Sequence, residues 1–169
     1  EEEEEYYDEE ESSYEGMEQL RLDLVVGLNR CFQVDSNECS EDEIGIAFEG
    51  GLYYYVNPFF GVGIAAAVAR WDGFAELLHT RVNAMAVVNL PLGGFEMSAA
   101  AGIGLARLGS ELSGSESLGA SVPVSARMGY FAYEGILIGF DATANIDLFD
   151  SGQLLISGQF GPFLEFVFN

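Results

Sequence analysis

Residues 135–148 read GILIGFDATANIDL, with an apolar residue at every second position. Ile136 and Ile138 fall on one side of this segment, and Gly139 and Asp141 fall on the other. Successive side chains of a β-strand point to opposite faces of the sheet. A period of two therefore predicts a strand with one apolar face and one small or polar face.

The same alternation recurs along almost the whole chain, separated by turns and loops of alternating length. The predicted strands cover residues 18–29, 44–56, 59–70, 77–90, 95–107, 121–131, 135–148 and 153–168. An even number of long strands, with short turns at one end and longer loops at the other, is typical of transmembrane barrels. The sequence thus predicts an all-β fold: an eight-stranded antiparallel up-and-down transmembrane β-barrel over residues 17–169, after an acidic tail over residues 1–16.

The sidedness of the barrel follows from the composition of its polar face. That face is rich in glycine and carries charges of both signs, which suits a narrow lumen and not a lipid-facing surface. The predicted lumen charge network consists of Arg21, Asp23, Glu49, Arg81, Glu96, Arg127, Asp141 and Glu165. We expect each of the three arginines to bind at least one of these carboxylates and so to close the lumen. The last strand should pair with the first, because an open sheet edge cannot be satisfied in lipid.

Charge and hydropathy exclude other classes of protein. The formal net charge is −22, and all six basic residues are arginines. Nucleic-acid binding needs clustered basic residues, so no nucleic-acid partner is predicted. No apolar run reaches the roughly 20 residues that a membrane helix needs.

Aromatic residues predict two interfacial girdles. The short-turn end collects Tyr53, Tyr54, Tyr55, Phe59, Phe60, Phe95, Tyr130, Phe131, Tyr133, Phe163, Phe166 and Phe168. Trp71 and Phe74 are expected to mark the opposite rim.

Together these features resemble the small eight-stranded outer-membrane barrels of the OmpA/OmpX type. Residues 163–168, FLEFVF, resemble the C-terminal strand signal of that family, although Asn169 follows the last aromatic residue here. The resemblance implies the outer membrane of a Gram-negative envelope, a periplasmic N-terminal tail, extracellular loops and contact with lipopolysaccharide. We expect a structural, scaffold or anchoring role without catalysis, and the acidic tail over residues 1–16 favours a place in a larger envelope assembly.

Arg30, Arg70 and Arg107 fall at the loop ends of their strands. Cations at this level suit the phosphates of lipopolysaccharide, because arginine matches phosphate geometry. The alternative is that these arginines are solvated or snorkel along the rim.

His79, the only histidine, is the one candidate for catalysis. Some small outer-membrane barrels modify lipid A, and such an enzyme would need a serine and a carboxylate oriented beside the histidine. No GxSxG motif is present, so a hydrogen-bonded lumen histidine is the favoured interpretation. A conduit for small solutes or hydrophobic molecules is the other alternative. No cofactor and no metal site are predicted, since the acidic loop after Cys31 lacks a calcium-binding pattern.

Cys31 and Cys39 lie close together in a polar stretch, which favours a small disulfide-closed loop in an oxidising compartment over two free thiols. The tail over Glu1–Gly16 is mostly acidic and carries three tyrosines. We expect this tail to engage a protein partner or cations, although acidic runs are often only solvated linkers.

Overall fold

The computed structural model describes residues 18–32, 44–71, 77–110, 114 and 116–168. Its regular elements are eight β-strands in chain order. They are β1 (Gln19–Cys31), β2 (Ile44–Asn57), β3 (Phe60–Trp71), β4 (Leu77–Leu92), β5 (Phe95–Ser110), β6 (Glu116–Tyr133), β7 (Ile136–Phe149) and β8 (Leu154–Phe168). Among these residues no helix is long and apolar enough to cross a membrane.

The strands form one closed antiparallel barrel in which each strand pairs with its sequence neighbours. β1 also pairs with β8, with Leu22 opposite Phe166 and Asp23 opposite Glu165. The predicted strand number, order and closure are confirmed. Closure leaves no free sheet edge, as a lipid environment requires.

Burial alternates along each strand and confirms the predicted sidedness. The side chain of Ile64 on β3 is 60% exposed, whereas Arg81 on β4 is 3% exposed and Asp141 on β7 is 0% exposed. Large aliphatic residues therefore cover the outside of the cylinder, and charged residues face its lumen. A continuous apolar surface of this kind is unfavourable in water, whereas it is favourable in contact with the acyl chains of a bilayer.

Glycine makes room for large rings inside this narrow lumen. Gly63 of β3 lies beside Tyr53 of β2, and a Cβ atom at position 63 would come within 2.6 Å of Cδ1 of that ring. Tyr55 lies in the same way against Gly61, where an added Cβ atom would be 3.0 Å from Cδ2 of the ring. Small residues on the inward face thus leave space for the large side chains of neighbouring strands.

Tight turns join the strands at one end of the barrel, which we call the turn end. The side-chain oxygen of Asn57 accepts hydrogen bonds of 2.9 Å from the amides of Phe59 and Phe60, which closes the β2–β3 turn. Gly93 and Gly135 adopt positive φ angles of 69° and 76° in two further turns. We call the opposite end of the barrel, where β1, β3, β5 and β7 end, the loop end.

The predicted aromatic girdle is correct only in part. Tyr54, Phe60, Phe95 and Tyr130 are exposed on the outer face near the turn end. Four aromatic residues predicted for the rims lie instead in the lumen, which corrects that expectation: Tyr53, Tyr55, Trp71 and Phe163. Their strand positions have the parity of the inward face, so alternation overrides the tendency of aromatic residues to collect at interfaces. Phe74 lies outside the described residues.

Candidate functional site: the closed lumen

Arg127 holds the centre of the lumen together. On the neighbouring strand β7, Asp141 places its Oδ2 atom 2.7 Å from Nε of Arg127. Nη1 of the guanidinium pairs with Asp23 of β1, and Nη2 lies 3.5 Å from Oε1 of Glu49 on β2. Since β2 and β6 stand on opposite sides of an eight-stranded barrel, one side chain bridges the full width of the lumen.

Aromatic rings pack around this cluster. The rings of Tyr53 and Phe163 each lie with their centroids 5.7 Å from Cζ of Arg127. Phe163 also packs with Val25 and Leu137 in a buried apolar group. The rings exclude water from the ion pairs, and ion pairs in a low dielectric interact more strongly.

Arg21 forms a second bridge nearer the turn end. Its Nη1 atom lies 2.6 Å from Oε1 of Glu96 on β5 and 2.9 Å from Oε1 of Glu165 on β8. The guanidinium also packs over the ring of Tyr55, 4.1 Å from its centroid. β1 and β5 are opposite strands, so this arginine likewise spans the lumen.

Arg81 departs from the expectation that each lumen arginine binds a carboxylate. Its Nη2 atom lies 3.5 Å from Oε1 of Gln159 on β8, and within the described ranges it forms no ion pair. β8 lies opposite β4 across the lumen and presents the amide of Gln159 at this depth. The carboxylate of Glu49 lies beside Arg127. For Arg81 the prediction was wrong, because strand register and not inward orientation decides which acid is within reach.

The loop end of the lumen is filled by a different kind of cluster, built around His79. The imidazole stacks on Trp71 with ring centroids 5.8 Å apart, and Phe149 packs against it edge-on with ring centroids 6.3 Å apart. Its Nε2 atom lies 3.3 Å from Oδ2 of Asp147. The surrounding buried apolar residues are Cys31, Ala47, Ala69, Trp71, Leu77, Ala106, Leu108, Phe149 and Leu155.

Alternation in the sequence places His79 on the lumen face but does not reveal its neighbours. Asp147 falls on the same face of residues 135–148 as Asp141, and Trp71 is predicted at the rim. The alternation itself indicates that Trp71 faces inwards, since Trp71 continues the inward series Ala65, Ala67 and Ala69 of β3. The imidazole is 1% exposed and covered by rings, so it faces neither lipid nor open solvent.

The burial of Trp71 leads to a direct spectroscopic prediction, since it is the only tryptophan. In lipid vesicles its fluorescence should be blue-shifted and quenched weakly both by aqueous acrylamide and by lipids with brominated acyl chains. A matched protein with Trp71→Phe and Leu105→Trp should be quenched strongly by the brominated lipids, because Leu105 is 72% exposed on the outer face. Strong acrylamide quenching of the wild-type protein would instead place Trp71 at a wet rim.

The arginines predicted for the loop-end rim all lie exposed on the outer face: Arg30 on β1, Arg70 on β3 and Arg107 on β5. Arg107 pairs with Glu116 on the neighbouring strand β6. The guanidinium of Arg30 lies 5.6 Å from the centroid of the Phe32 ring. Alternation thus directs these three cations outwards and the other three arginines inwards.

The turn end of the lumen opens into a cavity of about 510 Å³. Arg21 and Glu96 line it from the lumen side, and Phe131 and Tyr133 line it from the turn-end part of β6. The inner side of the cavity is therefore closed by the cross-lumen bridge of Arg21 and its two carboxylates.

Comparison with known proteins supports the same architecture. No protein-family model matches the chain, and no curated protein matches its sequence. The structure of Neisserial surface protein A (NspA) is similar with a TM-score of 0.70 and 13% sequence identity, over 88% of this chain and 96% of that one. The attachment invasion locus protein Ail of Yersinia pestis, solved with the heparin analogue sucrose octasulfate, matches with a TM-score of 0.58 and 16% identity over 88% and 99% of the two chains.

The outer membrane protein OprG of Pseudomonas aeruginosa matches with a TM-score of 0.57 and 8% identity, over 91% of this chain and 97% of that one. At such identities a likeness establishes the fold, and function must be argued from the site. With its closed lumen and apolar outer surface, this chain has the fold of the small eight-stranded outer-membrane β-barrels, the family that its alternating strands resemble.

Proposed function

We propose that this protein is a non-conducting, non-enzymatic barrel of the bacterial outer membrane with a structural, scaffold or anchoring role in a larger envelope assembly. The observation that carries the proposal is the cross-lumen bridge of Arg127 to Asp23, Glu49 and Asp141. A solute would have to break several buried ion pairs at once to pass this level. Breaking one such pair costs about 3–5 kcal/mol, because it leaves an uncompensated buried charge.

The loop-end cluster supports the non-conducting part of the proposal. Trp71, His79 and Phe149 fill the lumen with rings where a pore would need an opening. The same contacts support a structural role for His79, since its imidazole is held between rings and Asp147, away from the lipid interface. A lipid-modifying enzyme would need this group to meet a lipid substrate.

The orientation in the membrane belongs to the proposal as well. The turn end with the tail over Glu1–Gly16 would face the periplasm, and the loop end would face the outside. The outward arginines Arg30, Arg70 and Arg107 would then lie at the level of lipopolysaccharide phosphates. The tail and Cys39 lie outside the described residues, so the tail partner and the disulfide with the buried Cys31 stay predictions.

Single-channel recording tests the closed lumen. Folded wild-type protein inserted into planar lipid bilayers should show no conductance steps above the bilayer background, because both bridges and the loop-end cluster block the path. A porin inserted in the same way serves as the positive control, and heat-dependent gel migration checks that the barrel is folded. Discrete steps from the folded protein would contradict the proposal.

A further inference from the structure

We propose that the turn-end cavity binds a lysine or arginine side chain presented by a basic segment of a periplasmic partner protein. This inference rests on the proposed orientation, which places the turn end in the periplasm, and on the proposed place in an envelope assembly. It goes further because it names the surface that the partner contacts and the chemistry of that contact.

The cavity is built from all three tight turns of the turn end. Pro58 belongs to the β2–β3 turn, Gly93 to the β4–β5 turn and Glu134 to the β6–β7 turn. The volume of about 510 Å³ falls within the roughly 300–1,000 Å³ that is usual for ligand sites. Since the Arg21 bridge closes the inner side, a ligand would enter from the turn end and not through the lumen.

The cation of the lining already has its partners. Arg21 is the only cation among the described residues that line the cavity. Its Nη1 atom donates to Glu96 and Glu165, and its Nε and Nη2 atoms lie 3.2 Å and 2.9 Å from Oε1 of Gln19. Each nitrogen of the guanidinium is therefore engaged, so Arg21 does not make the cavity a site for anions.

Asn89 offers the cavity a buried acceptor. Its Nδ2 atom donates a hydrogen bond of 3.1 Å to the carbonyl oxygen of Pro58, which leaves Oδ1 to accept. The side chain is 2% exposed, and Oδ1 has no hydrogen-bond partner among the described residues. A buried acceptor without a partner is destabilising, so a ligand that donates a hydrogen bond to it binds more strongly.

The nearby carboxylates favour a cation as that donor. Glu96 of β5 is opposite Pro91 of β4, two residues along the strand from Asn89. Asn89 and Glu96 are thus diagonal neighbours, about 7–8 Å apart, and one ammonium or guanidinium group can reach both side chains. Glu134 adds an exposed carboxylate at the rim, so negative charge exceeds positive charge in the lining.

The other walls suit the stem of a long basic side chain. Phe131 and Tyr133 line the cavity from β6, and Tyr133 is 73% exposed. Aromatic faces attract ammonium and guanidinium groups. Pro91 and Val167 add apolar surface for methylene groups. Lysine and arginine combine an apolar stem with a cationic end, so they match this lining better than an inorganic cation does.

The sequence beside the cavity favours a protein segment over a free amine. Gln19 lines the cavity at the start of β1, and the acidic residues of Glu1–Gly16 precede it in the chain. A basic segment can place one side chain in the cavity and further basic residues near these acids. A small amine gains only the first contact, because linked contacts strengthen one another through effective concentration.

The test titrates the folded full-length protein in lipid nanodiscs against a fluorescently labelled peptide that carries several lysines, and measures fluorescence anisotropy. Asn89→Leu should weaken binding about tenfold, the loss of one hydrogen bond to a charged group, although it leaves every charge of the protein in place. Glu134→Gln should weaken binding as well. Glu116→Gln is the matched control, because it removes the same charge from an exposed residue at the loop end and should bind like the wild type.

Two further ligands define the chemistry. The same peptide with its lysines acetylated keeps the stems but loses the charges, and it should bind at least tenfold more weakly. Spermidine represents free amines and should bind more weakly than the lysine peptide. Heat-dependent gel migration checks that each variant is folded.

Three results would overturn the inference. Unchanged peptide binding by both Asn89→Leu and Glu134→Gln would assign the binding to the acidic tail alone. Equal affinity for the acetylated peptide would indicate an apolar site, and equally tight binding of spermidine would indicate a site for free amines. None of these results depends on conductance, so the closed lumen and the turn-end site can fail separately.

Discussion

Arg127→Met is expected to reduce the free energy of unfolding by about 3–5 kcal/mol, because it leaves three carboxylates in the lumen without their shared cation. Asp23 and Asp141 are 0% exposed, so water cannot replace the lost guanidinium without opening the barrel. Urea titration of the protein in lipid vesicles, followed by the fluorescence of Trp71, measures the change. If the free energy of unfolding of the wild type is at the low end of the usual range, a large fraction of the Arg127→Met protein should be unfolded even without urea.

Two comparison variants make the Arg127 result specific. Arg107→Met removes an exposed arginine from an ion pair with Glu116 and should cost no more than about 1 kcal/mol. Adding Asp23→Asn and Glu49→Gln to Arg127→Met should restore part of the stability, because the substitutions remove the uncompensated charges. If Arg127→Met costs no more than Arg107→Met, the central cluster does not hold the lumen together.

Ile103→Arg is expected to destabilise the barrel by about 2–4 kcal/mol, the cost of a cation on the lipid face near the bilayer midplane. Ile103 lies in the middle of β5 and is 71% exposed on the outer face, opposite Ala84. No carboxylate of the lumen can reach it through the sheet. The same urea titration in vesicles measures the loss.

Depth provides the control for Ile103→Arg. Leu92 ends β4 at the turn end and is 51% exposed, so Leu92→Arg should cost only about 0–1 kcal/mol. In a water-soluble barrel both introduced arginines would be solvated, and neither substitution would lower the free energy of unfolding appreciably. Equal and small effects at the two positions would therefore exclude the membrane-facing assignment of the apolar surface.

The sequence predicted most strand boundaries to within one to three residues, because alternation marks them directly. The largest difference is at β6, which begins at Glu116 and not at the predicted residue 121. Residues 116–120, ESLGA, show little apolar alternation, so no pattern marks them as a strand. Pairing with Gly109 of β5 on one side and Phe149 of β7 on the other extends the strand beyond its apolar part.

The sequence by itself determined which face each side chain occupies, because the side-chain period of a strand is two and needs no knowledge of its neighbours. It could therefore place Arg21, Arg81 and Arg127 inside and Arg70 and Arg107 outside. Only the tertiary structure decided their partners. Asp23 and Arg127 meet across 104 residues of sequence, while Arg81 meets Gln159 and no acid among the described residues.

The physical reason is that depth within a barrel depends on the register of every strand pair between two residues. Each antiparallel pairing sets an offset, and the offsets accumulate around the cylinder into its stagger. The alternation of side chains along a single strand carries no information about the accumulated offset. Facing inwards is thus a local property of the sequence, whereas meeting a particular neighbour inside the lumen is a property of the closed barrel.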